Sequence, residues 1–160
     1  MTRFILPLLT CLVALGSAKA AEPPLTGTWT LVQADVLTPD GKRSHDYGEM
    51  PKGLLIIDAE GRYSLQIFDS LRPKFAAGEK SKGTADEYKA DVMGISTHFG
   101  TIGVDTASHT LTLHIEAASF PNQDGSVQKR IYELKGDELS YRVEPRGDGS
   151  VPISVWRRLK

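Results

Sequence analysis

His114 and Glu116 are the two residues of this chain best spaced for acid–base chemistry. They lie two positions apart in an alternating stretch, so on a β-strand both side chains point to the same face. A carboxylate beside a histidine favours the protonated imidazole, and such a pair can exchange protons with a substrate. The same alternation permits another arrangement, in which Leu111, Leu113 and Ile115 face the core and the polar pair faces solvent. Alternation alone favours this second arrangement.

Other polar and aromatic side chains could contact a ligand. Ser64 and Gln66 share a face, and both could hydrogen-bond a carbonyl or carboxylate in an otherwise apolar pocket. Arg72 could pair with an acidic headgroup. The alternative for Ser64 and Arg72 is a solvated outer face. The candidate ligand-binding residues are Tyr47, Tyr63, Gln66, Arg72, Phe75, His98, His114, Glu116, Ser119, Asn122 and Arg130.

Several common functional motifs are missing from the sequence. It contains neither His-x-His nor His-Glu-x-x-His, and its single cysteine is Cys11, so we expect no metal site. It also contains neither a Gly-x-Ser-x-Gly elbow nor a phosphate-binding glycine loop, which disfavours a hydrolase or a nucleotide enzyme. We therefore expect no cofactor. The balanced charge predicts no nucleic-acid partner.

Short alternating segments dominate the chain and predict an all-β fold. Turn-like connections join most of them, which favours an antiparallel up-and-down barrel of about eight strands, closed by pairing of the first and last strands. We find no linker or internal repeat, so residues 21–160 should form one domain. The predicted strands cover residues 28–36, 53–58, 62–68, 98–104, 109–117, 127–134, 138–143 and 150–159.

One long insert, residues 69–97, separates two of these strands. Thr84 followed three residues later by Glu87 is a capping box, which predicts a helix from residue 84 to about residue 97. Tyr88, Val92 and Ile95 have near-helical spacing and should pack on the barrel. The insert could then cross one mouth of the barrel.

The first twenty residues have the pattern of a secretory signal peptide. Arg3 precedes the apolar stretch 4–15, and Ala18-Lys19-Ala20 forms a small-x-small cleavage site. The apolar stretch is shorter than the roughly 20 residues that a membrane-spanning helix needs, so we expect no stable membrane anchor. The sequence thus predicts a periplasmic or secreted protein, cleaved near Ala20. Removal of the signal leaves 17 basic against 20 acidic residues.

Several short segments have an order and spacing that are specific when taken together: Gly27-Thr28-Trp29-Thr30-Leu31-Val32, residues 47–55, residues 75–78, Tyr88, Phe99-Gly100-Thr101, residues 119–122 and Val155-Trp156. In these segments the chain resembles the bacterial lipocalin-like domain family, over essentially its whole mature length. The resemblance implies an antiparallel β-barrel in which Arg157 or Arg158 covers Trp29. Many members carry two adjacent histidines where this chain has Leu113-His114, so a role that needs both is in doubt.

Three functions fit these patterns. The first is an exported protein that binds a small, mostly apolar molecule in the barrel. The second is a small barrel isomerase or cyclase that uses His114 and Glu116 as acid and base. The third is a structural barrel filled by its own side chains. The sequence favours binding, and it does not distinguish a monomer from a dimer.

Overall fold

In a computed structural model of the protein, residues 25–160 are described. They form nine strands and one α-helix. The predicted signal peptide lies outside the described residues. Within them, no helix is long and apolar enough to cross a membrane. The elements are β1 (Gly27–Leu37), β2 (Arg43–Ser44), β3 (Lys52–Ile57), β4 (Arg62–Phe68), α1 (Ala85–Met93), β5 (Ile95–Asp105), β6 (Thr110–Ala118), β7 (Val127–Lys135), β8 (Glu138–Val143) and β9 (Val151–Arg158).

The strands form a closed antiparallel barrel, as the sequence predicted. β1 and then β3 to β9 each pair with the next strand, and β1 also pairs with β9. The closing register places Trp29 opposite Arg158 and Leu37 opposite Val151. The two-residue strand β2 pairs with the end of β1 only and lies outside this ring of eight. Closure leaves no long edge open for pairing with another chain.

Large side chains close one end of the barrel. Trp29, Trp156 and Leu139 are fully buried there, and the Trp29 indole N–H donates to the Leu25 carbonyl oxygen at 3.0 Å. The Arg158 guanidinium lies 4.0 Å from the centre of the Trp29 ring, a cation–π contact. The resemblance implied this cover by Arg157 or Arg158, and Arg158 supplies it. We call this end the floor of the barrel.

The predicted capping box is present at the start of α1. The Thr84 side chain accepts a hydrogen bond from the Glu87 backbone N–H, and the Glu87 carboxylate accepts one from the Thr84 N–H. The helix ends at Met93, however, and not near residue 97. Ile95 already belongs to β5, where it pairs with Phe68. The pairing of β4 with β5 therefore ends the helix earlier than its local pattern predicted.

The prediction that α1 packs on the barrel is wrong. None of its residues is buried, and Val92 is 59% exposed. Tyr88 packs on Phe75 within the insert instead, with ring centres 5.5 Å apart. Arg72 links the insert to the barrel, because it forms an ion pair of 2.8 Å with Asp91 of α1 and lies over the ring of Phe68 at the end of β4.

Candidate functional site

A cavity of about 380 Å³ opens at the end of the barrel opposite the floor. It lies where β1, β4, β6 and β8 end and where β5, β7 and β9 begin. Inward side chains of these strands provide most of its wall, because alternate residues of a strand face the same side. Its apolar lining comprises Ala34, Val36, Leu65, Ile67, Ile95, Phe120, Val143, Pro152 and Ile153, and its polar lining comprises Asp35, Tyr47, Ser96, His98, Ser119, Gln123, Gln128, Arg130, Tyr141, Glu144, Arg146 and Ser154.

Three buried polar side chains form a connected group beside the cavity. His98 lies between Tyr63 and Arg130, which come from β4 and β7 respectively. The Tyr63 hydroxyl oxygen lies 2.9 Å from His98 Nδ1, and Arg130 Nη2 lies 3.2 Å from His98 Nε2. The Arg130 Nη2 group also donates to the Gln128 side-chain oxygen at 2.9 Å. We call Tyr63, His98 and Arg130 the polar triad.

The contacts of the triad determine the tautomer of His98. A guanidinium group only donates hydrogen bonds, so His98 Nε2 must present its lone pair to Arg130. The ring proton of neutral His98 then lies on Nδ1 and is donated to the Tyr63 oxygen; we assign it from this network. The Tyr63 O–H remains available to donate to a further group.

Burial keeps both rings of the triad neutral at ordinary pH. It lowers the pKa of His98 to about 3, with a further contribution from the Arg130 charge. It also raises the pKa of Tyr63 to about 12, although the Arg130 charge acts in the opposite direction. The formal charge of the triad is therefore the single positive charge of Arg130.

Arg130 is a buried cation with few partners. Its side chain is 5% exposed, and none of the ion pairs of residues 25–160 includes it. Its guanidinium carbon lies 4.8 Å from the centre of the Tyr141 ring. Arg130 Nε and the Tyr141 hydroxyl are both buried and have no hydrogen-bond partner. These two polar groups are therefore unsatisfied.

Asp35 is a second buried charge at the cavity, and its partners satisfy it. Its carboxylate is 1% exposed and lies 2.8 Å from His45 Nδ1 and 3.3 Å from Arg43 Nη1. Gln33 also donates to it. Because Arg43 belongs to β2 and His45 follows it, these bonds hold the β2 segment against the end of β1.

Comparison with known proteins identifies the family. Residues 26–159 match the model of a family described as a lipocalin-like domain. The chain belongs to this family. A search of curated proteins found no significant match to this lipocalin-like domain. A mutant of the fluorescent protein UnaG has a similar crystal structure, with 16% sequence identity, coverage of 84% of this chain and 95% of that chain, and a TM-score of 0.37.

Five of the residues predicted from the sequence lie together in the lipocalin-like barrel. Tyr47, His98, Ser119 and Arg130 line the cavity, and Tyr63 contacts it through His98. Burial raises the pKa of Tyr47, which keeps this side chain neutral as well. These residues come from separate strands and loops, so only the closed barrel brings them together.

His114 and Glu116 lie on the outer face, away from the cavity. Leu111, Leu113 and Ile115 are buried, so the alternate positions of β6 face solvent. Glu116 forms an exposed ion pair of 3.0 Å with Arg62. The arrangement favoured by alternation is thus the observed one, and the pair adds nothing to the cavity.

The other predicted residues also lie outside the cavity. Gln66 and Ser64 occupy the outward positions of β4, because Tyr63, Leu65 and Ile67 fill the inward ones. Arg72 and Phe75 belong to the insert, where Arg72 also stacks on Phe68 at 5.0 Å. Asn122 is exposed in a short turn, from which Gln123 reaches the cavity instead.

Sequence reasoning missed Gln128, Asp35 and Tyr141 as candidates. Gln128 lies two residues before Arg130 on β7, so alternation places both on the inner face. Tyr141 lies two residues after Leu139 on β8, and both are buried on the inner face of the strand. Strand alternation could have identified Gln128 and Tyr141, because it shows which side chains share the inner face of a strand. Nothing in the local sequence marks Asp35, whose burial depends on the β2 segment.

Burial of neutral His98 should make the barrel less stable as the pH falls. The pKa of His98 is lowered from 6.5 to about 3, so between these values the unfolded chain binds a proton that the folded chain does not. The free energy of unfolding should therefore decrease with falling pH, by up to about 1.4 kcal/mol per pH unit from this residue. Above pH 6.5 this contribution is complete.

Urea unfolding at a series of pH values measures this dependence. The His98→Gln variant should show a flatter decrease of the free energy of unfolding below neutral pH than the native protein. The matched control is His114→Gln, which changes an exposed histidine and should retain the native slope. Equal slopes for the native protein and His98→Gln would contradict the prediction.

Proposed function

We propose that this lipocalin-like domain binds one small, mostly apolar molecule in the barrel cavity. The observation that carries the proposal is a cavity whose wall contains buried polar groups without partners, namely Arg130 Nε and the Tyr141 hydroxyl. Buried polar groups in native proteins nearly always have partners, so such groups beside a cavity point to a bound molecule that completes them.

The walls of the cavity argue for an apolar body. Nine of the 21 lining residues are apolar, and most of these belong to β1, β4, β8 and β9; the other twelve are polar. The volume of about 380 Å³ lies near the lower end of the roughly 300–1,000 Å³ typical of small-molecule sites. A ligand whose apolar body contacts the apolar residues and whose polar end contacts the buried polar ones fits this lining.

The two alternative functions receive less support. Side chains fill the floor half of the barrel, but the half around His98 and Arg130 contains the cavity, which a filled structural barrel would lack. An isomerase or cyclase built on His114 and Glu116 would need both residues beside the substrate, and both face outward. Binding therefore accounts for more of the geometry.

We also propose that the protein is exported and that its signal peptide is cleaved after Ala20. Residues 1–20 have the charge, apolar length and small-residue pattern of a cleaved signal, which supports a site of action in the periplasm or outside the cell. The mass of the protein isolated from the exported fraction tests cleavage after Ala20. A full-length mass there would contradict it.

A neutral fluorescent probe tests binding directly. We expect purified protein to take up N-phenyl-1-naphthylamine with enhanced fluorescence, and native mass spectrometry to detect one bound molecule. Ala34→Phe should abolish uptake, because Ala34 is 4% exposed and lines the cavity, so the phenyl ring would occupy it. Val32→Phe, at an exposed position of the same strand, should bind like the native protein.

The result that would overturn the proposal is a native protein that takes up no probe and carries no small molecule. Uptake that persists unchanged in Ala34→Phe would place the binding site elsewhere. Thermal unfolding of both variants checks that they remain folded.

A further inference from the structure

Arg130 lacks the partner that a buried cation normally has. Burial of a charge is costly unless an opposite charge or several hydrogen bonds compensate it. Among the described residues its hydrogen-bond contacts are Gln128 and His98, both of them neutral. Both contacts involve Nη2, whereas Nε is buried without a partner. The guanidinium thus retains an uncompensated charge and donor groups for a further acceptor.

Tyr141 provides a second donor beside the same charge. Its ring lies against the Arg130 guanidinium at 4.8 Å, and its hydroxyl is buried without a partner. Both residues line the cavity. A group that accepts hydrogen bonds and carries a negative charge would satisfy Arg130 and this hydroxyl together.

Neither carboxylate that lines the cavity pairs with Arg130 among the described residues. Asp35 lines the cavity, but its oxygens are bonded to Arg43, His45 and Gln33. Glu144 also lines the cavity and is exposed to solvent.

We propose that the molecule bound in the cavity carries a carboxylate, and that this group binds Arg130 and Tyr141. This inference rests on the proposed function and names the chemical class of its ligand: a small apolar acid. The contacts of Nη2 with His98 and Gln128 fix the plane of the guanidinium, so these two residues act as positioning residues. The apolar body of the ligand would lie against Ile67, Val143 and Ile153.

A monovalent carboxylate fits this site better than other headgroups. A neutral alcohol would leave the Arg130 charge uncompensated, and an amine would add a second positive charge. A phosphate dianion normally binds several cationic or backbone donors. No lysine is among the residues that line the cavity, and the second arginine there, Arg146, is paired with Asp46 at 3.3 Å.

Competition between matched ligands tests the inference on the native protein. Dodecanoic acid and dodecanol have equal chain lengths and differ in the headgroup, and each can displace N-phenyl-1-naphthylamine. At a pH where the acid is ionised, we expect it to bind about tenfold to a hundredfold more tightly than the alcohol. Equal affinities, or tighter binding of the alcohol, would overturn the inference.

Arginine variants locate the headgroup. Arg130→Gln should bring the acid and the alcohol to similar affinities, because the variant lacks the charge that distinguishes the two headgroups. Arg142→Gln is the matched control, because Arg142 is an exposed residue of the adjacent strand β8 and should leave the preference intact. Loss of the preference in Arg146→Gln, with retention in Arg130→Gln, would place the headgroup at the rim and contradict the assignment.

Failure of this inference can be distinguished from failure of the proposed function. If the native protein takes up neither the probe nor either twelve-carbon compound, the proposed function itself fails. If it takes up the probe without preferring the acid, only the assignment of a carboxylate fails. Should Arg130→Gln not fold, the comparison of acid and alcohol on the native protein still decides the question.

Discussion

Replacement of Trp29 by alanine is expected to lower the free energy of unfolding by about 3–5 kcal/mol. Trp29 is fully buried in the floor, so the substitution removes a large apolar surface and leaves a cavity. It also removes the donor to the Leu25 carbonyl and the ring that lies under Arg158. Urea unfolding followed by circular dichroism measures the change.

The control for this effect is Val32→Ala on the same strand. Val32 is 38% exposed, and its truncation should cost about 1 kcal/mol or less. A loss of similar size in both variants would show that the floor does not contribute more than the outer face of β1. If Trp29→Ala does not fold at all, Trp29→Phe provides a smaller change at the same position.

Gly100→Ala should destabilise the barrel by about 3 kcal/mol or more. A β-carbon at Gly100 would lie 2.0 Å from the His114 backbone carbonyl oxygen, well inside contact distance. That oxygen belongs to the paired strand β6, where the register shifts between Phe99 and Gly100. The added methyl group must therefore push β5 and β6 apart next to His98.

Gly103 provides the matched comparison for Gly100. It lies on the same strand, and a β-carbon there would have its nearest neighbour at 3.9 Å, which is ordinary contact. Gly103→Ala should change the free energy of unfolding by no more than about 1 kcal/mol, in the stabilising direction, because it restricts the unfolded chain. Thermal unfolding of the two variants measures the difference. Equal changes in the free energy of unfolding would show that the close contact between Gly100 and the His114 carbonyl oxygen does not exclude a side chain.

The barrel could be predicted because its signals are local and repeated. Period-two alternation between short turns specifies strands, and consecutive hairpins then leave few topologies. The capping box at Thr84 fixed the start of α1 in the same way. The end of the helix depends on the pairing of Ile95 with Phe68, which are distant in sequence. The local pattern does not contain this contact and therefore predicted a helix that is too long.

The site was harder to predict because it depends on which alternate residues of each strand face inward and on where a bulge shifts that alternation. The bulge in β5 and β6 pairs Ala117 with the exposed Phe99, although simple alternation places Ala117 on the inner face with Ile115. A shift of this kind changes which side chains after it reach the cavity. The separate contributions of His98, Arg130 and Tyr141 become one site only when β5, β7 and β8 curve around the same space.

The pairing of β1 with β9 also determines when this protein can finish folding. It joins residues 27–37 to residues 151–158, so the first strand of the barrel completes its pairing only after a strand more than a hundred residues later is in place. Until then β1 and β8 remain sheet edges, which are prone to pair with other chains. Contacts this distant in sequence slow folding, so these two edges stay unpaired for longer than the strands that a short turn joins.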